Sequence, residues 1–130
     1  MMEKTKSEPI IIEQAGMRMT VAHRRSGSGD EGLTFDITTA APENEAKRIL
    51  RFDCFYKEPH YHVGARGEEA SHKMNDEGTE DPVRWTLEQL KTRFPTMVKQ
   101  AGYDEIAERI DQQSIADQLT RLEAEIIAKY

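Results

Sequence analysis

A chain of 130 residues, 37% hydrophobic and 32% charged, is long enough to close one core without disulfides or a structural metal, and it lacks the composition of a disordered chain. Its single cysteine, Cys54, excludes an internal disulfide, and no apolar run approaches the roughly 18 residues a membrane helix needs. The net charge of −6 falls wholly after Arg66, where eight basic residues face fourteen acidic ones; this excludes a generic nucleic-acid coat protein but leaves the neutral first half free to carry a local basic face.

The start of the chain carries no signal-peptide h-region, and with the lone cysteine this gives a cytoplasmic expectation. Residues 1–8 are expected to form a flexible tail, and residues 9–130 a single domain. Ile10 to Ile12 open a β-branched run that Gly16 interrupts as a turn or bulge. Met17, Met19, Val21 and His23 alternate with Arg18, Thr20 and Ala22, the period of a half-buried strand. The loop from Ser26 to Gly32 is glycine-rich. It lacks the Lys-Ser/Thr of a phosphate-binding loop and opens no helix, so it reads as a hairpin connection. Leu33, Phe35 and Ile37 alternate with Thr34, Asp36 and Thr38, and Ala41 to Ala46 is the next turn.

The strand expected from Lys47 to Tyr56 puts Leu50, Phe52, Cys54 and Tyr56 on one face and Arg51, Asp53 and Phe55 on the other. A tight link at Lys57, Glu58 and Pro59 follows. His60 and His62 then share one face, and Tyr61 and Val63 the opposite one. Residues 64–80 are polar and turn-rich and are expected to be irregular.

Asp81 and Pro82 then start a helix as cap and first helical residue. Val83, Leu87, Leu90, Phe94, Met97, Val98 and Ala101 form its apolar face; Pro95 should kink or split it, and Gly102 ends it. Tyr103 to Asp111 reads as a short helical piece. Ser114 with Asp117 resembles the N-terminal cap of a last helix whose stripe is Ile115, Leu119, Leu122 and Ile126. The expected fold is α+β: an antiparallel meander of four to five strands over about residues 10–66, then two to three helices over about residues 82–129, packed on one face.

Chemistry concentrates in the Arg51–His62 hairpin. Alternation sets His60 and His62 on one side of a strand with Cα atoms roughly 6–7 Å apart. Pairing across the turn brings Arg51 and Asp53 onto the neighbouring strand, and the register decides whether they share the histidines' face, since a slip of one residue reverses it. A carboxylate beside an imidazole fixes its tautomer and raises its basicity, and an arginine can hold a phosphate. The set suits phosphodiester cleavage or phosphoryl transfer with no cofactor. His60, His62 and Asp53 are also a His₂-carboxylate metal set, though no cysteine pair or HExxH helix accompanies them. Cys54 has core parity and reads as a structural thiol, His23 as a strand-end residue and His72 as exposed.

Leu50-Arg51-Phe52-Asp53, a short connection, then His60-Tyr61-His62-Val63-Gly64 resembles the toxins of the TumE type, over about residues 30–100. The resemblance implies a small cytoplasmic prokaryotic toxin acting on RNA or a nucleotide, with Arg51, Asp53, His60 and His62 as its catalytic residues and a helix-turn-helix antitoxin as partner. Nucleic acid enters only as substrate, and no membrane is involved. Three departures stand out: Cys54 where the family commonly has Asn, a longer connection over residues 68–81, and helices continuing past Gly102. The other function class is a non-catalytic interaction module. Its acidic helical half would bind a basic partner, or its last helices would form a homodimer.

Overall fold

Among the described residues the chain forms six strands: β1 (Ile10–Gln14), β2 (Met17–Arg25), β3 (Glu31–Thr39), β4 (Arg48–Phe55), β5 (His60–Val63) and β6 (Ala70–Lys73), the first five over the stretches where the sequence alternates with period two. They lie side by side in chain order in one sheet, each antiparallel to the next. The computed structural model describes residues 8–42, 45–64, 70–77 and 81–129. Of the tail expected over 1–8 only Glu8 falls within them, and residues 43–44, 65–69 and 78–80 of the expected connections lie outside.

The α+β expectation holds, with one strand more than expected. β6 lies inside the stretch read as irregular and pairs with β5, setting Lys73 opposite His60 and Ser71 opposite His62. Its sequence, Ala-Ser-His-Lys, has no apolar alternation, because an edge strand needs only backbone pairing and keeps a polar surface. A second difference concerns β4, which stops at Phe55. Tyr56 is 69% exposed and not part of the core. The chain turns there because the buried Asp30 carboxylate collects the backbone N–H groups of Lys57 and Glu58 at 3.1 and 2.9 Å. A bulge at the start of β4 inserts Ile49 between the Thr38–Arg48 and Ile37–Leu50 pairs, and Ile49 is fully buried.

The helices cover one face of the sheet. Met17, Met19 and Val21 of β2, Leu33, Phe35 and Ile37 of β3, Leu50, Phe52 and Cys54 of β4 and Tyr61 of β5 form that inner face. α1 (Pro82–Gln100) lies against β4 and β5 and buries Leu87, Leu90, Phe94, Met97 and Val98. Asp81 caps it by accepting from the Arg84 N–H at 3.2 Å. Pro95 has the expected consequence: Arg93 leaves helical geometry at φ −144°, ψ 32°. Proline cannot donate to the Lys91 carbonyl, and Gln112 supplies the missing partner. Its Nε2 donates to the carbonyls of Lys91 and Leu90 at 2.9 and 3.1 Å, while its Oε1 accepts from the Phe94 N–H at 3.0 Å.

The chain leaves α1 through Gly102 at φ +98°, as expected of a residue in the left-handed region. α2 (Asp104–Arg109) buries Ala107, and α3 (Gln112–Lys129) buries Ile115, Leu119 and Ile126 within the same core. The α3 cap differs from the sequence reading. Asp111, not Ser114, fills it: its carboxylate accepts from the Ser114 N–H at 3.0 Å, and Asp117 is engaged by Gln113. Lys91 and Glu123 pair between α1 and α3. Among the described residues no helix is long and apolar enough to cross a membrane.

Candidate functional site

The face of the sheet opposite the helices carries the even positions of β2 and β3 and the odd positions of β4. There the register answers the question the sequence leaves open. Asp53 stands opposite His60 and Arg51 opposite His62, so all four residues share the open face. Asp53 is the centre of the group and is only 1% exposed. Its Oδ2 faces His60 Nε2 at 3.1 Å and His62 Nε2 at 3.4 Å. Its Oδ1 accepts from Arg51 Nε at 3.1 Å and from Arg24 Nη2 at 3.3 Å.

Arg24, at the end of β2 beside the glycine-rich loop, is the member that the sequence analysis did not single out. Its parity with Arg18, Thr20 and Ala22 was the available signal. It reaches Asp53 across β3, where Gly32 stands opposite it in the register and puts no side chain in the way. Its guanidinium also lies over the Phe55 ring, 5.3 Å from the centroid. Phe55 in turn meets the His60 ring edge-on at 5.6 Å, and the two imidazoles meet edge-on at 4.9 Å.

Burial alone would raise the Asp53 pKa. The hydrogen bonds of His60 and His62 and the charge of Arg51 outweigh it and hold the carboxyl well below the usual range. His60 moves the other way. Its bond to Asp53 raises its pKa, burial opposes this, and the Glu58 carbonyl adds to the rise. The geometry gives the same answer, because His60 Nδ1 lies 2.9 Å from the Glu58 carbonyl while Nε2 faces Asp53. Both ring nitrogens meet acceptors, and only the imidazolium donates from both.

The Lys57–Pro59 turn that supplies this carbonyl is pinned by Asp30. Burial works against the charge of Asp30, but the N–H groups of Glu58, Lys57 and Glu31 prevail and keep its carboxyl below the usual value. The cluster forms the floor of a groove of about 680 Å³, whose walls include Arg48, Ser71 and Lys73. Within it, one ligating atom each of Asp53, His60 and His62 lie within 4.8 Å of one another, the group among the described residues that could hold a metal.

A family model described as a domain of unknown function, DUF7700, matches residues 11–126. The chain belongs to this family. No curated protein and no solved structure matches it. The matched span runs from β1 to the last buried residue of α3, so the family takes in the whole sheet and its helical cover.

Cys54, His23 and His72 do not line the groove, whereas Ser26, Ser28 and Asp30 of the glycine-rich loop do. Cys54 points into the helix-covered side, 3.4 Å from Thr86 Oγ1, and burial pushes its thiol up to about 12. That is a core thiol and not a nucleophile. His23 lies near the end of β2, 3.4 Å from Glu31. His72 is exposed and stacks on Tyr61 with ring centroids 4.8 Å apart. The glycine-rich loop closes as a hairpin, with the Ser26 N–H donating to the Asp30 carbonyl at 2.8 Å.

Proposed function

We propose that the protein acts on a phosphodiester or nucleotide at the open face of its sheet, as a small toxin-like enzyme. One observation carries this reading: two guanidiniums and two imidazoles converge on a single buried carboxylate at the floor of an open groove. Arg48 and Lys73 add cationic walls in a chain whose net charge is −6, so the groove is a local exception to an acidic protein. Arg51 and Arg24 hold the phosphate. Asp53 orients both imidazoles. His60 and His62 serve as the general acid and base. The likeness of Leu50-Arg51-Phe52-Asp53 and His60-Tyr61-His62 to the TumE-type toxins supports the same reading and adds a helix-turn-helix antitoxin as partner. Of the last helix's stripe, Ile115, Leu119 and Ile126 are buried in the monomer's own core and Leu122 packs partly buried against it.

The test is cleavage of single-stranded RNA and of nucleotides by the purified protein in chelator-treated buffer. Losing a general acid and base together should lower the rate by a factor on the order of 10² or more in the double variant His60→Ala with His62→Ala. A wild-type protein that cleaves none of these substrates, or a double variant that cleaves and inhibits growth as the wild type does, refutes it.

A further inference from the structure

We propose that Asp53 Oδ2, His60 Nε2 and His62 Nε2 form a binding site for a first-row divalent transition ion, with Zn²⁺ as the ion that fits best. The two edges that meet at Oδ2 measure 3.1 and 3.4 Å. Four ligands at about 2.0–2.1 Å from a tetrahedral Zn²⁺ lie roughly 3.3–3.4 Å apart, so both edges already match a bound ion without backbone movement. One ligand atom from each of the three residues lies within 4.8 Å of the other two, so the third edge is also within reach of one ion.

Three features outside the ligand set point the same way. His60 Nδ1 is tied to the Glu58 carbonyl at 2.9 Å, the outer bond that commonly aims a ligating imidazole. That carbonyl belongs to the turn which Asp30 pins through Lys57 and Glu58, so the aim is fixed by the fold. Arg51 and Arg24 occupy Oδ1 and leave Oδ2 as a single, oriented ligand atom. The open groove leaves a fourth position for a small ligand.

Two imidazoles and one carboxylate select Zn²⁺, Ni²⁺ or Fe²⁺ over Mg²⁺ and Ca²⁺, which take oxygen ligands. The guanidiniums beside Asp53 oppose a cation, so the occupied site carries surplus positive charge and takes an anion, phosphate among them, as its fourth ligand. Each Nε2 can hold a proton or the ion but not both. The ion therefore switches off proton transfer, a clause that rests on the proposed function, whereas the binding site itself does not.

The experiment is calorimetric titration of ZnCl₂ into the untagged full chain, with MgCl₂ as control and far-UV circular dichroism to establish that each variant is folded. One equivalent of Zn²⁺ should bind with micromolar affinity, and Mg²⁺ should not. His60→Ala and His62→Ala should each weaken binding at least about 10-fold, judged by what even outer-shell changes cost at metal sites. A control with both His23→Ala and His72→Ala should bind as the wild type does. A wild-type protein that binds no Zn²⁺, or folded His60→Ala and His62→Ala variants that bind it unchanged, overturns the site. Zinc bound and lost in both variants upholds it even if no phosphodiester is ever cleaved, an outcome that removes the proposed function alone. Cleavage that continues at saturating, bound Zn²⁺ overturns the switching clause.

Discussion

Replacing Asp53 by an asparagine keeps the shape of the side chain and removes the one charge that four groups share. Truncating one partner of a buried ion pair costs about 3–5 kcal/mol, because the other partner stays buried and uncompensated. Here the partners differ in exposure. The Arg24 side chain is 40% exposed and belongs with surface pairs worth about 0–1 kcal/mol. Arg51 at 15%, His60 at 27% and His62 at 18% carry most of the effect. For Asp53→Asn a loss of about 3 kcal/mol in weakly acidic, chelator-treated buffer follows, the low end of the buried range because the new amide retains one acceptor oxygen.

The pH dependence has a definite sign. The Asp53 pKa is lowered from 3.8, so its stabilisation is present above that value and is lost as pH falls further. The His60 pKa is raised from 6.5, so its share is full below that value and is lost as pH climbs through the raised one. The wild-type advantage is therefore greatest between about pH 4 and 6.5 and smaller at about pH 9. Urea unfolding reads this through Trp85, the sole tryptophan, packed between Phe52 and Tyr61 at 6.4 and 5.3 Å. A loss under about 1 kcal/mol near pH 5.5, or one that grows towards pH 9, would sink the reasoning.

Three further outcomes are expected. Gln112→Ala should cost about 1–3 kcal/mol in urea unfolding, since it strips the side-chain partners from the Phe94 N–H and the Lys91 carbonyl at the α1 kink. Gly32→Ala should be more damaging, about 3 kcal/mol or more, because the new Cβ would lie 2.2 Å from the Cys54 carbonyl oxygen and the β3–β4 backbone would have to part; unchanged thermal unfolding would contradict this. The native Cys54 thiol, buried and pushed up to about 12, should resist alkylation at mildly alkaline pH and react fully in urea, as mass spectrometry would detect.

Much of the fold was legible because residue type and period agreed. Met17, Met19 and Val21, and later Leu87, Leu90 and Phe94, announce a strand and a helix face by spacing alone. What stayed hidden was set by backbone and by distance. β6 pairs through main-chain groups and carries no apolar period, and Tyr56 has the parity of a core residue but sits where Asp30 has already bent the chain. Asp111 took the α3 cap because its carboxylate stands three residues before an N–H, which Ser114 could have imitated one turn later. The site was half legible. Parity placed Arg51 with Asp53 and His60 with His62, but their meeting needed the register, and Arg24 needed knowledge that β2 lies two strands from β4.

The Asp53 cluster is poorly explained by stability. The sheet's other face already closes the core, with Phe35, Phe52, Leu90 and Phe94 buried against one another in a single apolar body. A buried carboxylate with two arginines and two imidazoles adds little that apolar side chains of the same volume would not add, and such exchanges are often neutral or stabilising. Folding alone would therefore tolerate an apolar or plainly solvated surface on the open side of β4 and β5. The chain instead places five polar, chargeable side chains from three strands there and aims one imidazole with a carbonyl from a pinned turn. This excess of positional control over what the core requires is the physical ground on which we propose the groove, and not the acidic helices, as the functional site.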